Sequence, residues 1–130
     1  MSSEQKPCPP PDRNPHPPAF AVPAGATDCH AHVFGPAVRY PYQPERSYTP
    51  PDLPLADLRR MHATLGLQRL VLVQASVHGT GNSAVRDAVA SDPANLRGIA
   101  AMTEETTDKE LAALHDAGIR GVRVNLVDRG

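Results

Sequence analysis

The sequence contains no tryptophan, only two phenylalanines and three tyrosines, and only two cysteines among 130 residues. Two cysteines are too few for the disulfide framework of a small secreted protein, so we expect a reducing compartment. No apolar run approaches the roughly 18 residues of a membrane span, and the first fifteen residues lack the apolar stretch of a secretory signal. The sequence therefore predicts a soluble, cytoplasmic chain with no membrane contact.

A large excess of charge of one sign is also missing. The chain has 13 Lys and Arg against 14 Asp and Glu, and its formal net charge is −1. Proteins that bind nucleic acids or anionic membranes usually carry a clear basic excess, so neither is an expected partner. The length fits one domain at most and is too short for a complete enzyme barrel of roughly 250 residues.

Proline is nearly absent from the second half of the sequence, because fourteen of the fifteen prolines lie in residues 1–54. Residues 1–24 combine proline with polar residues and cannot bury enough apolar surface to offset the entropy of ordering. We expect them to form a flexible N-terminal arm. Residues 33–54 are also rich in proline but carry aromatic side chains, which favours an ordered and functional loop.

From residue 55 onward, helical and strand patterns alternate. Apolar spacing and capping residues predict three helices: one over 55–65 capped by Asp52, one from Asn82 that ends before Pro93, and one from Thr107 to Gly118. Short apolar runs predict strands at 28–32, 69–75, 96–102 and 119–127. Such alternation indicates parallel strands with helical crossovers, and hence an α/β fold.

Two architectures remain open at this point. No helix follows the last predicted strand to cover it, and four parallel strands alone would expose two long edges. The chain is either a small open α/β domain or the first half of a barrel.

Three polar residues lie along the first predicted strand. Asp28, His30 and His32 alternate and are predicted to project from the same face. Two imidazoles in this arrangement can share one metal ion or polarise one carbonyl group. A pair of histidines satisfied within the core is the alternative.

A second polar group follows the second predicted strand. Gln74, Ser76 and His78 are predicted to share a face, and residues 79–82 then turn into a helix. The free N–H groups at the start of that helix could receive an anion. A glycine-rich turn closed by an Asn cap explains the same residues equally well.

Arg123 and Asn125 are predicted to share a face of the last strand, opposite Val122 and Val124. A guanidinium that faces a strand-lined interior needs a partner, either a carboxylate substrate or a structural Asp or Glu. Arg129 follows just beyond the strand and is a second candidate for substrate binding. The remaining histidines are predicted to be solvated: His16, His62 and His115.

Four segments, in this order along the chain, resemble the N-terminal half of the amidohydrolase-2 family: DCHAHVFGP (28–36), the tyrosines of 40–48, VQASVHGT (73–80) and GIRGVRVN (118–125). The similarity runs from about residue 24 to residue 130. Within the family it is strongest to the lactone hydrolases that act on 2-pyrone-4,6-dicarboxylate. The resemblance implies a distorted TIM (β/α)8 barrel, of which residues 25–130 would form the N-terminal half, truncated after the fourth strand.

The resemblance also implies an activity and a site. It implies a hydrolase that opens the lactone bond of a small dicarboxylate in the breakdown of aromatic compounds. His30 and His32 match a catalytic pair that binds one divalent metal, such as zinc, in many amidohydrolases and works without metal in the dicarboxylate lactonases. The positions that match those holding the substrate are Tyr48, Ser76, Arg123, Arg129 and, in the same loop, His78.

Two departures from the family pattern limit these expectations. Gly81 replaces the acidic residue of the usual loop sequence His-Gly-Thr-Asp-Asn. The His of a later strand and the Asp that serves as general base would lie beyond Gly130, so we expect the chain alone to be inactive. A complete flavodoxin-like ligand-binding domain and a non-catalytic remnant remain alternatives, and an oligomer is compatible with each.

Overall fold

A four-stranded parallel sheet forms the centre of the computed structural model, which describes residues 6–125. The strands, numbered along the chain, are β1 (Lys6–Pro7), β2 (Thr27–Ala31), β3 (Tyr48–Thr49), β4 (Arg69–Val73), β5 (Leu96–Ala101) and β6 (Ile119–Arg123). The sheet has the order β2-β4-β5-β6, and all of its neighbouring strands are parallel. The short strands β1 and β3 pair with each other outside it.

Three helices join successive strands of this sheet: α1 (Leu55–Leu65), α2 (Ser83–Ala90) and α3 (Asp108–Asp116). Each strand is therefore followed in the sheet by its sequence neighbour after one helical crossover, as the alternating pattern predicted. This repetition of β–α units confirms the α/β class. None of the described helices is both long and apolar enough to cross a membrane.

The start and end of α3 follow the local sequence signals. The Thr107 side chain accepts the N–H of Glu110, and the Glu110 carboxylate accepts the N–H of Thr107, which is the predicted capping box. Gly118 follows the helix with φ +99°, a conformation that residues with a Cβ rarely adopt. Sequence and structure agree at both ends of this helix.

The caps predicted for the other two helices are wrong. α1 begins after Pro54 with no side-chain cap, because the Asp52 carboxylate accepts the N–H of Ala37 instead. Asn82 precedes α2 as expected, but its side-chain amide bridges to the backbone of Ala101 in β5. In both cases a tertiary contact takes the polar side chain away from the nearby helix end.

The hydrophobic core lies between the sheet and its helices. Gly98 allows the layers to approach closely, because a Cβ at this position would lie 2.4 Å from Cδ1 of Ile119 and 3.1 Å from Cγ2 of Val89. Each fully buried Leu or Val contributes roughly 1.5–3 kcal/mol of stability. The most deeply buried members of the core are Leu72, Ala100, Val89, Val85 and Leu96.

The last strand is shorter and more exposed than its sequence suggested. β6 ends at Arg123, and residues 126–127 of the predicted strand lie outside the described residues. Val122 is paired in register with the buried Ala100, and it is 54% exposed because no described helix covers it. Val124 is 71% exposed.

The proline-rich arm runs along the outside of this unit. The N–H of Cys8 donates to the carbonyl of Thr49 at 2.9 Å, which continues the β1–β3 pairing. Residues 11–15 face α1 across a shallow groove. The flexibility expected of residues 1–24 stays a prediction.

Candidate functional site

Polar side chains meet at the edge of the sheet where its parallel strands end. His30 and His32 lie at the end of β2, Ser76 follows β4, and Arg123 is the last residue of β6. The carboxyl ends of parallel strands are where α/β proteins bind ligands and carry out catalysis. This edge is therefore the candidate active site.

A β-bulge in β2 decides which way its polar residues point. Asp28 is opposite Leu70 of β4 and Ala31 is opposite Leu72, so three steps along β2 match two steps along β4. Leu70 and Leu72 belong to the core beneath the helices, which places Asp28 and Ala31 on that same side. The histidines on either side of Ala31 face away from it.

The prediction that Asp28 projects together with the two histidines is therefore wrong, because simple alternation does not hold through a bulge. Asp28 instead contacts α1, where its Oδ2 lies 2.9 Å from Nε2 of His62. His62 is only 5% exposed, so its prediction as a solvated side chain is also wrong. His62 falls on the apolar face of α1, four residues after Leu58 and seven after Leu55, so the helical spacing indicated its burial although not its acidic partner.

The two imidazoles lie close together, with ring centroids 5.1 Å apart and ring planes perpendicular. Nδ1 of His32 is 2.8 Å from the carbonyl oxygen of Val73. Because a carbonyl can only accept, Nδ1 carries the proton and Nε2 of the neutral ring keeps its lone pair. The hydrogen bond thereby fixes both the tautomer and the orientation of His32.

The surroundings of His32 favour the neutral ring. Burial lowers the pKa of His32, the hydrogen bond to Val73 opposes this shift, and the charges of His30 and Arg123 lower the pKa further. His32 therefore remains a neutral acceptor through Nε2 at and above neutral pH.

Arg123 brings a positive charge to the same edge. Its Nη1 donates to the backbone carbonyl of Gln74 at 2.7 Å, reaching past Ala101 of the intervening strand. No Asp or Glu among residues 6–125 forms an ion pair with Arg123. A structural acid, the alternative left open by the sequence, is thus absent from the described residues, and the other guanidinium donors can serve a ligand.

The segment after β4 does not continue as a strand, so the shared face predicted for Gln74, Ser76 and His78 is wrong. Residues 76–78 form a 3-10 turn. The His78 ring is buried, with Nδ1 3.2 Å from the carbonyl of Pro41 and Nε2 3.4 Å from the N–H of Gly35. These contacts favour a role in holding the loop, and substrate binding by Ser76 and His78 stays a prediction.

Two amides to which the sequence had given other roles, a shared strand face for Gln74 and a helix cap for Asn82, shape the loop of residues 74–82. Gln74 is 1% exposed, and its Nε2 donates to the carbonyls of Gly79 and Gly81 at 2.9 and 3.3 Å. Asn82 both donates to and accepts from the backbone of Ala101. The one signal in the sequence was the position of Gln74 directly after an apolar strand, where a buried amide must find partners.

The remaining predicted site residues are not joined to this cluster. Tyr48 is half-buried in β3, where it pairs in register with Lys6, and the described hydrogen bonds and ring contacts of His30, His32 and Arg123 do not include it. Arg129 lies outside the described residues. Substrate binding by Tyr48 and Arg129 stays a prediction.

The described residues do not complete a metal site. Protein zinc sites use three or four ligands, whereas this edge supplies the imidazoles of His30 and His32. Asp28 is turned toward His62, and Sγ of Cys29 lies against the carbonyl of Thr27. Within the described part of the chain, no group of three His, Cys, Asp or Glu is arranged to hold a metal ion.

Residues 27–130 match the model of the family Amidohydro_2, described as amidohydrolase. The chain belongs to this amidohydrolase family. It is 49% identical over 116 residues to a 2-pyrone-4,6-dicarboxylate hydrolase of Comamonas testosteroni, covering 89% of this chain and 38% of that protein. It is 44% identical over 117 residues to a 4-sulfomuconolactone hydrolase of Rhizobium radiobacter, covering 90% of this chain and 39% of that protein.

Two solved structures share the fold of this amidohydrolase chain. A probable 2-pyrone-4,6-dicarboxylic acid hydrolase from Acinetobacter baumannii, with citric acid bound, matches at 35% identity with a TM-score of 0.71, covering 78% of this chain and 38% of that one. A protein of Agrobacterium tumefaciens, solved without ligand, matches at 28% identity with a TM-score of 0.80, covering 92% and 42%.

The chain thus spans about two fifths of the length of these relatives. Its four parallel strands and their helices correspond to part of a TIM-barrel hydrolase. The half-barrel interpretation of the sequence is confirmed, and the flavodoxin-like alternative is set aside.

Proposed function

We propose that this chain supplies one part of the active site of a lactone hydrolase whose substrates carry acidic groups. One observation carries the proposal: His30, His32 and Arg123 converge where parallel strands end, and no described carboxylate pairs with the arginine. The proposal is supported by two relatives whose names denote hydrolases of acidic lactones, 2-pyrone-4,6-dicarboxylate and 4-sulfomuconolactone.

The His pair serves the reacting carbonyl. In ester hydrolysis, water attacks the carbonyl carbon and negative charge develops on the carbonyl oxygen, which hydrogen-bond donors stabilise. The exposed His30 ring can donate to that oxygen. Nε2 of His32 has a lone pair that can accept a hydrogen bond from the attacking water, in an orientation set by Val73.

The general base belongs to another part of the enzyme. Asp28 faces His62 and not the histidine pair, so it does not take the proton of the water. This agrees with the family resemblance, which assigns the base to an Asp of the last barrel strand. A divalent metal such as zinc would be held by His30 and His32 only if a further ligand came from outside residues 6–125.

Arg123 binds an acidic group of the substrate. A carboxylate can accept two parallel hydrogen bonds from a guanidinium, and a hydrogen bond between charged groups contributes roughly 1.5–3 kcal/mol. We include Tyr48, Ser76, His78 and Arg129 as further candidates for holding the substrate, on the family resemblance alone.

The cellular setting belongs to the same proposal. Cys8 and Cys29 are free and exposed, which suits a reducing, cytoplasmic location. The expected partner is a small anionic substrate, with no nucleic acid and no membrane, and oligomerisation is compatible with the proposal. A place in the breakdown of aromatic compounds follows if the substrate is 2-pyrone-4,6-dicarboxylate.

A hybrid enzyme tests the function. This chain replaces the matching 38% of the Comamonas testosteroni hydrolase, and turnover of 2-pyrone-4,6-dicarboxylate and 4-sulfomuconolactone is measured by the loss of lactone absorbance. We expect the hybrid to hydrolyse at least one of the two lactones and the 130-residue chain alone to hydrolyse neither.

The control is the hybrid with His30→Ala, which should be folded and at least about a hundredfold slower, since removing a hydrogen-bond donor to a developing oxyanion costs about that much. A hybrid that melts cooperatively but hydrolyses neither lactone would contradict the proposal and favour a non-catalytic remnant. Equal rates with and without His30 would remove the histidine pair from the mechanism.

A further inference from the structure

We propose that Asp28 and His62 are positioning residues that hold the bulge of β2 and thereby aim the His30 ring at the active-site edge. The inference rests on the proposed function only in assigning His30 a role in catalysis. The positioning itself is a property of the fold and can be measured without substrate.

The Asp28 carboxylate connects two elements through its two oxygens. Oδ1 accepts the backbone N–H of His30 at 3.0 Å, and Oδ2 lies 2.9 Å from Nε2 of His62. An ionised carboxylate can only accept, so the proton between Asp28 and His62 belongs to Nε2 of His62. One carboxylate therefore ties the backbone of β2 at His30 to a side chain of α1.

This link between β2 and α1 through Asp28 lies at the bulge of β2. Between Asp28 and Ala31 the register with β4 shifts, and His30 has no partner residue in that register. The N–H of this bulged residue donates to the Asp28 carboxylate, which holds the backbone of the bulge in place. The same shift turns Asp28 toward the helices while the His30 ring lies 5.1 Å from that of His32.

His62 anchors the bridge to a fixed element. It is 5% exposed on α1, a helix that packs on the core through Leu55 and Leu58. Its contact with Asp28 spans 34 residues of sequence, so it is a tertiary contact and not part of a local turn. A histidine buried for packing alone would not need an acid within hydrogen-bond distance.

Two-dimensional NMR of the 130-residue chain separates positioning from packing. His62→Leu replaces the imidazole with an apolar side chain of similar bulk and removes the donor to Asp28. We expect the backbone amide signal of His30 to shift and its hydrogen exchange to accelerate by about tenfold or more, because the Asp28 carboxylate becomes free to leave the bulge. His62→Gln, which offers an N–H near the position of Nε2, should restore most of the wild-type signal.

Leu58→Ala is the matched control on the same helix. It removes packing between α1 and the core but leaves the bridge intact, so the melting temperature should fall while the His30 amide keeps its chemical shift. Asp28→Asn, which keeps one acceptor oxygen, should move the His30 amide less than Asp28→Ala does.

The proposal is overturned if the His30 amide is unchanged in His62→Leu, or if Leu58→Ala moves it as much. Should His62→Leu not fold, Asp28→Ala decides the matter: a wild-type His30 amide in that variant would equally overturn the proposal. None of these readouts depends on turnover, so an inactive hybrid enzyme would refute the proposed function and leave this result standing.

Discussion

The surroundings of Arg123 give the most direct indication of the charge of the substrate. Its side chain crosses Ala101 to reach the carbonyl of Gln74, a neutral partner that leaves the positive charge of the guanidinium uncompensated by any described acid. A guanidinium at a ligand-binding edge that has no acidic partner is suited to bind an anionic group of a ligand.

Replacing Arg123 by Met in the hybrid enzyme keeps much of the side-chain volume and removes the charge and five donors. If Arg123 binds a carboxylate, the variant should lose roughly 1.5–3 kcal/mol of transition-state stabilisation. The value of kcat/KM for the dicarboxylate lactone should then fall about tenfold to a hundredfold. Steady-state kinetics with the hybrid and its variant give this ratio.

A neutral lactone without the carboxylate is the control substrate, and both forms should hydrolyse it equally. The melting temperature should fall only slightly, because the substitution breaks the hydrogen bond to the Gln74 carbonyl but no described ion pair. If Arg123→Met slows both substrates alike, or prevents folding, the arginine is structural and the preference for acidic lactones has to be given up.

At the residue scale, the sequence predicted the place of the candidate site at the strand ends better than the direction of each side chain. Spacing alone brought His30 and His32 to one face and Arg123 to the same sheet edge. It placed Asp28 with them because a bulge leaves no mark in local periodicity. The placement of His62 in solvent overlooked that it shares the apolar helix face of Leu55 and Leu58. The capping box at Thr107 was predictable because all of its atoms lie within one turn.

At the scale of elements, the loop of residues 33–54 is held by contacts at several points. Phe34 and Leu53 form an isolated antiparallel bridge, and the N–H of Gln43 donates to the carbonyl of Val77 at 2.7 Å. The Tyr42 hydroxyl donates to Asp52 at 2.8 Å, and burial together with this bond raises the pKa of Tyr42. The expectation of an ordered loop is therefore met, through contacts that the aromatic content alone did not specify.

His78 connects this loop to the turn after β4 and should make stability depend on pH. Burial lowers its pKa, while the bond to Pro41 and the charge of Asp52 act in the opposite direction. The unfolded chain, with an ordinary histidine pKa of 6.5, then takes up a proton before the folded one does. The contribution of the neutral, buried His78 to the free energy of unfolding is therefore present above pH 6.5 and is lost as the pH falls below that value.

We therefore expect the urea midpoint of the chain to drop between pH 7 and pH 5, and to drop less in His78→Gln, which cannot titrate. His32 has a pKa lowered in the same sense, so some pH dependence should remain in the variant. A wild-type midpoint that is constant over this range, or an equal drop in both proteins, would contradict the structural role given to His78.

The N-terminal arm provides a second expectation at this scale. Seven prolines in residues 1–22 limit helices and strand ladders, and the only described ladder of the arm is the two-residue pairing of β1 with β3. Limited proteolysis should trim residues 1–22 without lowering the melting temperature measured by circular dichroism. A clear fall after trimming would show that the arm stabilises the fold.

At the scale of the whole molecule, the alternation of strands and helices was enough to predict parallel β–α units, because each unit follows from local sequence patterns. The family relationship was needed to decide whether those units form an open domain or part of a barrel, because no single strand distinguishes the two. The exposed Val122, on the helix-facing side of β6, shows why the pattern alone was ambiguous.

The central claim is that the ends of β2 and β6 together form the acidic-lactone site, and a crystal structure of the hybrid enzyme tests it most directly. The hybrid with His30→Ala, soaked with 2-pyrone-4,6-dicarboxylate, should show a substrate carboxylate within about 2.7–2.9 Å of the Arg123 guanidinium nitrogens. The lactone carbonyl should lie over the position left by the His30 ring, beside Nε2 of His32. A bound lactone whose carboxylates avoid Arg123, or which occupies another edge of the sheet, would contradict the account.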